Sequence, residues 1–387
     1  MRKQGNRLLL LILCCVQFSR GIDICQTLCR CTRQDTDVKC YVNNNDELLE
    51  ISKNINSNVN RLTLKENKLT EFNISFNLPK LKMLDLRNNL LKTIPKHLNS
   101  QFPILEDLWL DNNQITEIIY PTLEGMMNLK KLSLSNNQIT SLGKGAFQDL
   151  SNMLQLLLND NSISKLSVDA FQSLTKIVNL QLKNNHITKL EPGLFGHFNS
   201  TQITIDLTSN YIKELRNGVF DSRQKNFDAL VLASNQISVI EDAVFRNMNI
   251  KDLYLQNNSL VDLSPKSFMN SSISNVFVVV ENKLKCSCEL RSFIIGPEVY
   301  INDIYGNCKD KNETLDFQQI SKQSFSKDEV SRLFCTQCQI NNTCLNGAVC
   351  HAIDKTGLTC GCVNDYYGET CENEPICLSV ELSLIHI

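Results

Sequence analysis

Asparagine recurs at nearly fixed intervals through the middle of this 387-residue chain, each time inside the same apolar frame. The fullest copies read L-x-x-L-x-L-x-x-N-x-[LI]-x-x-[LI]. The asparagines follow one another every 22 to 25 residues, at Asn67, Asn89, Asn113, Asn137, Asn161, Asn185, Asn210, Asn235, Asn258 and Asn282. One copy is too short to bury its own leucines, so neighbouring copies must stack into one continuous core. The repeat therefore predicts a solenoid.

The order of residues inside the frame predicts where each coil is straight and where it turns. The L-x-L core alternates with period two, as a short strand does with one face inward, so stacked copies form a parallel sheet. The asparagine follows where the chain leaves the strand. Its amide both donates and accepts, so it can pair with backbone groups of its own turn and of the next coil. An apolar residue there would leave buried backbone groups unpaired, at roughly 1–3 kcal/mol each.

This frame resembles that of extracellular leucine-rich repeats of the 24-residue class. The resemblance implies an α/β leucine-rich repeat solenoid with a parallel β-sheet on its concave side and a mostly irregular convex side. In that class a phenylalanine ten residues after the asparagine stacks into a spine on the convex side. Six phenylalanines have this spacing here: Phe147, Phe171, Phe195, Phe220, Phe245 and Phe268. Both series of residues are structural, and neither indicates a cofactor site.

The first 21 residues have the composition of a secretory signal. A basic start with Arg2, Lys3 and Arg7 precedes an apolar stretch over 8–16, and cleavage is expected before Ile22. The apolar stretch is too short to span a bilayer. We therefore expect a protein that is secreted or held at the extracellular face of the plasma membrane.

Charge and glycosylation signals agree with that compartment. The chain carries 41 acidic and 39 basic residues, a net charge of −2, so no global field favours nucleic acid or an anionic membrane as a partner. Sequons for N-glycosylation are consistent with secretion. They lie at Asn73, Asn199, Asn257, Asn270, Asn312 and Asn341.

The cysteines after the signal cluster at the two ends of the repeat region, with none between Cys40 and Cys286. A C-x-C pair can be a redox or metal motif, but flanked pairs at both exposed ends of a stacked core favour disulfides. Their spacings resemble the N-terminal and C-terminal cysteine caps of leucine-rich repeats. The resemblance implies the pairings Cys25–Cys31, Cys29–Cys40, Cys286–Cys308 and Cys288–Cys335.

Six further cysteines have C-x5-C-x5-C-x9-C-x-C-x8-C spacing and resemble an epidermal-growth-factor-like (EGF-like) module. Asn346-Gly347 and Tyr367-Gly368 stand where that module has them. Family pairing would be Cys338–Cys350, Cys344–Cys360 and Cys362–Cys371. Ala352 occupies the place where the calcium-binding subtype has Asp or Asn, so no calcium site is expected.

The end of the chain predicts a longer natural protein. Cys377 has no partner in this scheme, and residues 382–387 resemble the translation of a sequencing-library adaptor. Membrane anchoring therefore stays open. The expected order is a signal at 1–21, an N-terminal cap at 22–58, about ten repeats at 59–281, a C-terminal cap at 282–335, an EGF-like module at 336–372, the start of a further region at 373–381 and the adaptor-derived residues at 382–387.

Side chains at the x positions of x-L-x-L-x point outward from the sheet, the usual recognition face of this fold. Positions that face only solvent should be polar, so apolar side chains at these positions indicate a partner-binding surface. Aromatic and Arg residues are frequent binding anchors, although an idle exposed aromatic is the alternative here. The predicted partner-binding residues are Trp109, the protein's one tryptophan, with Arg87, Asp107 and Asp111, and then Leu157, Val231 and Tyr254. Val276, Val278 and Val280 continue the apolar stretch, with coverage by the C-terminal cap as the stronger alternative.

The sequence shows no catalytic or metal-binding constellation. G-x-S-x-G, a phosphate-cradling glycine loop and H-E-x-x-H are all missing. The histidines neither cluster nor have metal-ligand spacing; they are His97, His186, His197, His351 and His386. We expect no enzyme activity, no cofactor and no metal.

The whole architecture resembles Slit-type guidance proteins and vasorin-type surface proteins. Only Thr336 and Gln337 separate the C-terminal cap from the EGF-like module, a junction closer to the Slit type. The resemblance implies a non-enzymatic extracellular recognition protein that binds a protein ligand or receptor through its concave face. The alternatives are the ectodomain of a pattern-recognition receptor and a matrix scaffold.

Overall fold

The computed structural model describes residues 24–309, together with three short strands at 314–316, 351–353 and 357–359. Within 24–309 the exceptions are 32–35, 43–44, 74–75, 221–225, 286, 288–289, 291–292 and 295–298. The predicted signal, the EGF-like cysteines, the sequons at Asn312 and Asn341 and the predicted adaptor-derived end lie outside the described residues.

The main sheet has thirteen strands, and each repeat of the coil contributes one of them. Strands β1 and β2 pair antiparallel, and every later neighbouring pair is parallel. In order across the sheet the strands are β1 (Cys29–Cys31), β2 (Asp37–Cys40), β3 (Arg61–Thr63), β4 (Met83–Asp85), β5 (Asp107–Trp109), β6 (Lys131–Ser133), β8 (Gln155–Leu157), β10 (Asn179–Gln181), β11 (Ile203–Asp206), β13 (Asn226–Val231), β15 (Asn249–Tyr254), β16 (Ser271–Val278) and β17 (Val299–Tyr305).

Helix is scarce in the described part of the chain. It comprises α1 (Ile24–Thr27), α2 (Asn45–Asn54), α3 (Leu98–Gln101) and a 3-10 turn at Pro265–Phe268. Four small two-stranded sheets complete the secondary structure: β7 (Ser141–Leu142) with β9 (Lys165–Leu166), β12 (Glu214–Leu215) with β14 (Val239–Ile240), β18 (Asn307–Lys309) with β19 (Thr314–Asp316), and β20 (His351–Ile353) with β21 (Gly357–Thr359). The leucine-rich repeat solenoid predicted from the sequence is confirmed.

The leucines of the frame stack in register along the inner side of the sheet. Leu84 pairs with Leu108, and Leu108 with Leu132, so one column of side chains runs from coil to coil. All three are fully buried, as are the second leucines of the frame. Because each coil covers the apolar side of its neighbour, the core is continuous along the solenoid.

The asparagines tie each coil to the one before it. Asn113 Nδ2 donates to the carbonyls of Leu110 in its own coil and Leu86 in the preceding coil, both at 3.0 Å. Its Oδ1 accepts from Leu91 N at 3.0 Å, again in the preceding coil. The pairing with the own turn is as predicted, but the other partner coil lies before the asparagine rather than after it. The contact recurs at the other frame asparagines from Asn89 to Asn282.

The predicted phenylalanine spine is present on the convex side. Phe147 stacks on Phe171, and Phe171 on Phe195, with ring centroids 6.1 Å apart in both pairs. Phe220 follows at 5.7 Å from Phe195, and the series continues to Phe245 and Phe268. All six rings are buried. The convex side therefore has its own apolar contact between coils, separate from the leucine column.

The N-terminal end is closed by a small disulfide-linked cap. Disulfides join Cys25 to Cys31 and Cys29 to Cys40, the two pairings that the resemblance to N-terminal caps implied. Strand β2 extends the repeat sheet, since it pairs parallel with β3. The amide of Val42 donates to Asn67 Oδ1 at 2.7 Å, so the asparagine of the first repeat also holds the cap.

At the other end, β17 adds one more parallel strand beside β16. Cys308 is disulfide-bonded, while Cys286, Cys288 and Cys335 lie outside the described residues. The side chains of Val276, Val278 and Val280 remain half-buried. The described part of the cap thus prolongs the sheet rather than enclosing these valines.

Candidate partner-binding face

The outward-pointing side chains of the main sheet form one face, the concave face of a leucine-rich repeat solenoid. In the coil of β5 the outward residues are Asp107, Trp109 and Asp111, and the inward residues between them are Leu108 and Leu110. The register of the strands places the equivalent residues of neighbouring coils side by side. The leucine core beneath the sheet therefore fixes the positions of the outward side chains on this face.

Trp109 lies at the centre of an interlocked cluster. The Arg87 guanidinium lies 4.7 Å from the centroid of the Trp109 ring, and the Lys131 ammonium lies 4.0 Å from it. The two cations come from the coils on either side. The register neighbours of Trp109, Asp85 and Ser133, are only 3% and 1% exposed. The indole is therefore held in place, with cation–π contacts that stabilise its position.

The indole nitrogen of Trp109 is itself covered. Trp109 Nε1 has no hydrogen-bond acceptor among the described residues. A covered N–H group without an acceptor raises the free energy of the folded chain. The ring therefore keeps an unused donor on the concave face.

Two carboxylates lie beneath this cluster. Asp85 forms a two-point contact with Arg87, at 2.9 Å to Nε and 2.7 Å to Nη2, and this contact raises the pKa of Arg87. Asp111 accepts hydrogen bonds from the hydroxyl of Ser133 and from the amide of Ser135. Asp111 was predicted to contact a partner, but it is 9% exposed and used internally. Asp111 therefore stabilises this part of the face through hydrogen bonds to the following coil.

A charged ladder runs along the edge of the face beside Trp109. Glu106 pairs with Lys130 at 2.7 Å and with Lys82 at 3.1 Å, and these contacts lower its pKa. The neighbouring Asp107 is half-buried, and burial raises its pKa while Lys131 opposes the rise. Arg87 and Asp107 thus both lie beside Trp109, as the sequence predicted.

A second aromatic cluster was missed by the sequence reasoning. Tyr41 follows β2, and its ring has Lys39 Nζ at 5.1 Å and the Arg30 guanidinium at 5.9 Å from the centroid. The hydrogen bond from Lys39 raises the pKa of Lys39 and lowers the pKa of Tyr41. Only the antiparallel pairing of β1 with β2 brings Arg30 beside Lys39, and no repeat spacing signals that pairing.

The other predicted residues form a separate group. Val231 and Tyr254 are neighbours in the register of the sheet, and both are half-buried. Burial raises the pKa of Tyr254, and the negative charge of Asp252 raises it further. Tyr254 is six strands from Trp109, roughly 29 Å at about 4.8 Å per strand. Leu157 lies between the two groups, two strands from Trp109. The structure therefore does not unite the predicted residues in one patch.

Four sequon asparagines are described, and all four side chains are exposed: Asn73, Asn199, Asn257 and Asn270. Asn257 lies three residues after Tyr254 and donates to Ser234 Oγ at 3.1 Å. A glycan there would stand at the margin of the second group of residues. No sequon falls between Asn73 and Asn199, the span that contains Trp109.

Within the described residues, other kinds of site are weakly represented. No group of three or more His, Cys, Asp or Glu side chains there has the geometry of a metal site. A shallow convex-side cavity of about 280 Å³ is lined by residues that include Asn217, Phe220 and Arg246. His186 stacks on Tyr211, with ring centroids 5.7 Å apart. No helix in the described segments has the length and apolarity needed to span a bilayer.

Comparisons with known proteins agree with the fold. A family model described as "Leucine rich repeat" matches residues 127–187 and 225–284. The repeats of this chain are thus leucine-rich repeats.

Among solved structures, the chain is similar to one chain of an octameric complex of Latrophilin 3, Unc5D and FLRT2, in which FLRT2 is the leucine-rich repeat component. The identity is 21%, the TM-score is 0.55, and the match covers 77% of this chain and 97% of the other. A leucine-rich repeat protein of Leptospira interrogans matches at 18% identity with a TM-score of 0.39, over 67% and 82% of the two chains. A search of curated proteins found no match. At 21% identity, the similarity to the chain from the Latrophilin 3, Unc5D and FLRT2 complex shows the fold alone.

Proposed function

We propose that this chain is a non-enzymatic extracellular recognition protein that binds a protein partner through its concave face, in cell–cell or cell–matrix recognition. The Trp109 cluster is the observation that carries the proposal. The Trp109 ring makes cation–π contacts with Arg87 and Lys131 and has polar groups around it, which is the composition of a protein-interface anchor.

Two further observations support the proposal, one on the compartment and one on protein binding. The disulfides Cys25–Cys31 and Cys29–Cys40 belong to the chemistry of an oxidising compartment. The similar chain from the Latrophilin 3, Unc5D and FLRT2 complex comes from an assembly of several proteins, which is in keeping with a protein-binding use of this fold.

The proposal is tested with an N-glycan placed on the concave face. Gln155→Asn with Leu157→Thr creates a sequon in β8, so a glycan there would stand over the sheet. The matched control, Lys189→Asn with Glu191→Thr, places a glycan on the outer side of the next coil. Leu157→Thr alone controls for loss of the leucine side chain.

The secreted chain and its variants would be presented to an array of recombinant extracellular protein domains. We expect wild type to bind at least one member, with binding lost in the β8 glycan variant and kept in the outer-side glycan control. Leu157→Thr alone should weaken binding at most in part, because Leu157 is itself a predicted partner-binding residue. Equal binding by both glycan variants would contradict use of the concave face. If wild type bound no member, the proposed function would lose its basis.

A further inference from the structure

The concave face has an uneven distribution of charge along its length. We define its basic end as the outward residues of strands β1 to β6 and of the positions just after them. This end holds six cations, Arg30, Lys39, Arg61, Lys65, Arg87 and Lys131, and four carboxylates, Asp37, Asp85, Asp107 and Asp111. From β8 to β17, the described outward residues include two cations, Lys183 and Lys251, and four carboxylates, Asp206, Asp228, Asp252 and Asp303.

The accessible charge of the basic end is more positive than the count of residues indicates. Asp85 and Asp111 are buried, and both are engaged by neighbouring side chains. Arg30 and Arg61 are exposed, and Arg87 keeps 35% of its side chain exposed. The cationic groups therefore reach solvent while half of the carboxylates lie below them.

Aromatic rings stand among these cations at two places on the basic end. Tyr41 lies beside Arg30 and Lys39, and Trp109 lies between the coils that supply Arg87 and Lys131. Contacts of this kind hold the long cationic side chains near the ring and reduce the entropy lost when they bind an anion. The basic end is thus partly organised before any partner arrives.

Building on the proposed function, we propose that the basic end binds an acidic segment of the partner protein, with aspartate or glutamate side chains contacting Lys39, Arg61 and Lys131. A partner carboxylate can accept charge-assisted hydrogen bonds from these cations, and apolar atoms beside it can pack on Trp109. Opposite charge on the two surfaces also speeds encounter and excludes basic partners.

A protein segment fits this surface better than a polysulfated glycan does. Cations of the basic end and of its edge have carboxylates as neighbours: Arg87 has Asp85, and at the edge Lys82 and Lys130 share Glu106. The surplus of cations over carboxylates is therefore small, whereas a chain of closely spaced sulfates is best neutralised by unpaired cations. A large aromatic centre with a charged rim is the anatomy of a protein interface.

The positions of the N-glycosylation sequons support partner binding at the basic end. The coils that carry β4 to β8 contain none; Asn199 lies in the coil of β10, and Asn257 and Asn270 lie in that of β15. Glycans on these three asparagines would leave the basic end open to a protein partner. Asn73 lies in the coil of β3, six residues after the frame asparagine Asn67 and so beyond the outward strand positions.

Charge reversal tests the inference. The test variant carries Lys39→Glu, Arg61→Glu and Lys131→Glu. The matched control carries Lys165→Glu, Lys189→Glu and Lys213→Glu, three exposed lysines on the outer side of the coils, with the same change in net charge. The full secreted chain would be used for each, after thermal melting has shown that both variants fold.

Each protein would be measured against the array members that wild type binds, and against immobilised heparin as the polysulfated probe. We expect the test variant to lose affinity for the protein partner about tenfold or more, mainly through slower association at low salt, and the control to bind as wild type. Reversal of an acidic residue on the partner should restore part of the binding to the test variant.

The outcomes separate this inference from the proposed function. A partner that binds both variants equally, while still being blocked by the β8 glycan, overturns the inference and leaves the proposed function standing. Heparin binding that the test variant alone loses, with protein binding unchanged, overturns the inference in favour of a sulfated glycan. Failure of wild type to bind any array member removes both.

Discussion

At the scale of single residues, each frame asparagine satisfies backbone groups in two coils at once. The carbonyl of Leu110 accepts from Asn113 at 3.0 Å and from Asn137 at 3.0 Å, one in its own coil and one in the next. The carbonyl of Leu134 accepts in the same way from Asn137 and from Asn161. Each carbonyl therefore keeps one donor when a single asparagine is removed, but the amide that donates to the asparagine oxygen loses its acceptor.

Asn137→Ala is expected to lower the free energy of unfolding by about 2–4 kcal/mol. The amide of Ile115, which donates to Asn137 Oδ1, would be left buried without an acceptor, and the carbonyls of Leu110, Leu134 and Ser135 would each lose one of their donors. The measurement is chemical denaturation of the secreted chain. Gln138→Ala, at the exposed neighbouring position, should change stability by about 0.5 kcal/mol or less. Equal effects of the two substitutions would refute the role assigned to the asparagine.

The residue scale also shows where prediction from sequence stops. The period-two pattern of L-x-L placed Trp109, Asp107 and Asp111 on the outward face, and the structure agrees on the direction of all three. It could not show that Asp111 is buried, because that depends on Ser133 and Ser135 of the following coil. Burial of an outward side chain is decided by its neighbours across the sheet, which lie 22 to 24 residues away in the chain.

At the scale of elements, two separate apolar columns hold successive coils together. The leucine column lies under the main sheet, and the phenylalanine spine lies under the irregular convex turns. In the spine, Phe195 contacts Phe171 at 6.1 Å, Phe220 at 5.7 Å and Phe198 at 5.6 Å between ring centroids. Phe195 therefore links its own turn to both neighbouring turns.

Phe195→Ala is expected to lower the free energy of unfolding by about 3–5 kcal/mol, because a fully buried ring is replaced by a cavity. Phe195→Leu fills much of that space and should cost clearly less. Thermal melting of the secreted chain measures both. A loss for the leucine variant as large as for the alanine variant would show that ring stacking, rather than filled volume, is what matters here.

Strand β17 is one of the elements that the sequence did not predict. Its segment, Val299–Tyr305, has neither the L-x-L core nor an asparagine at the frame position, so no periodicity indicated a strand. It nevertheless buries Ile301 and Ile304 and pairs in parallel with β16. An exposed edge of a parallel sheet accepts any extended segment with apolar residues facing the core, and a repeat frame is not needed for that. The ten repeats could be predicted because the frame marks them, and this strand could not.

At the scale of the whole molecule, the solenoid is a linear array in which each coil contacts its neighbours. The stability of such an array is a sum of local terms, and its end coils depend on the caps. The N-terminal cap covers the first coil through the parallel pairing of β2 with β3 and through the bond from Val42 to Asn67. Loss of the cap should therefore destabilise the coils next to it more than the coils farther along the solenoid.

Replacement of Cys29 and Cys40 by serine tests this linear character. The disulfide closes a loop with a sequence separation of 11, so its loss is expected to destabilise the cap by about 3 kcal/mol. Hydrogen exchange should then quicken in β2 and β3 and stay unchanged in β10, which is buried in the middle of the array. Exchange that quickened equally in all three strands would show that the solenoid unfolds as one cooperative unit. In that case the rigidity of the basic end would depend on every coil rather than on the cap that adjoins it.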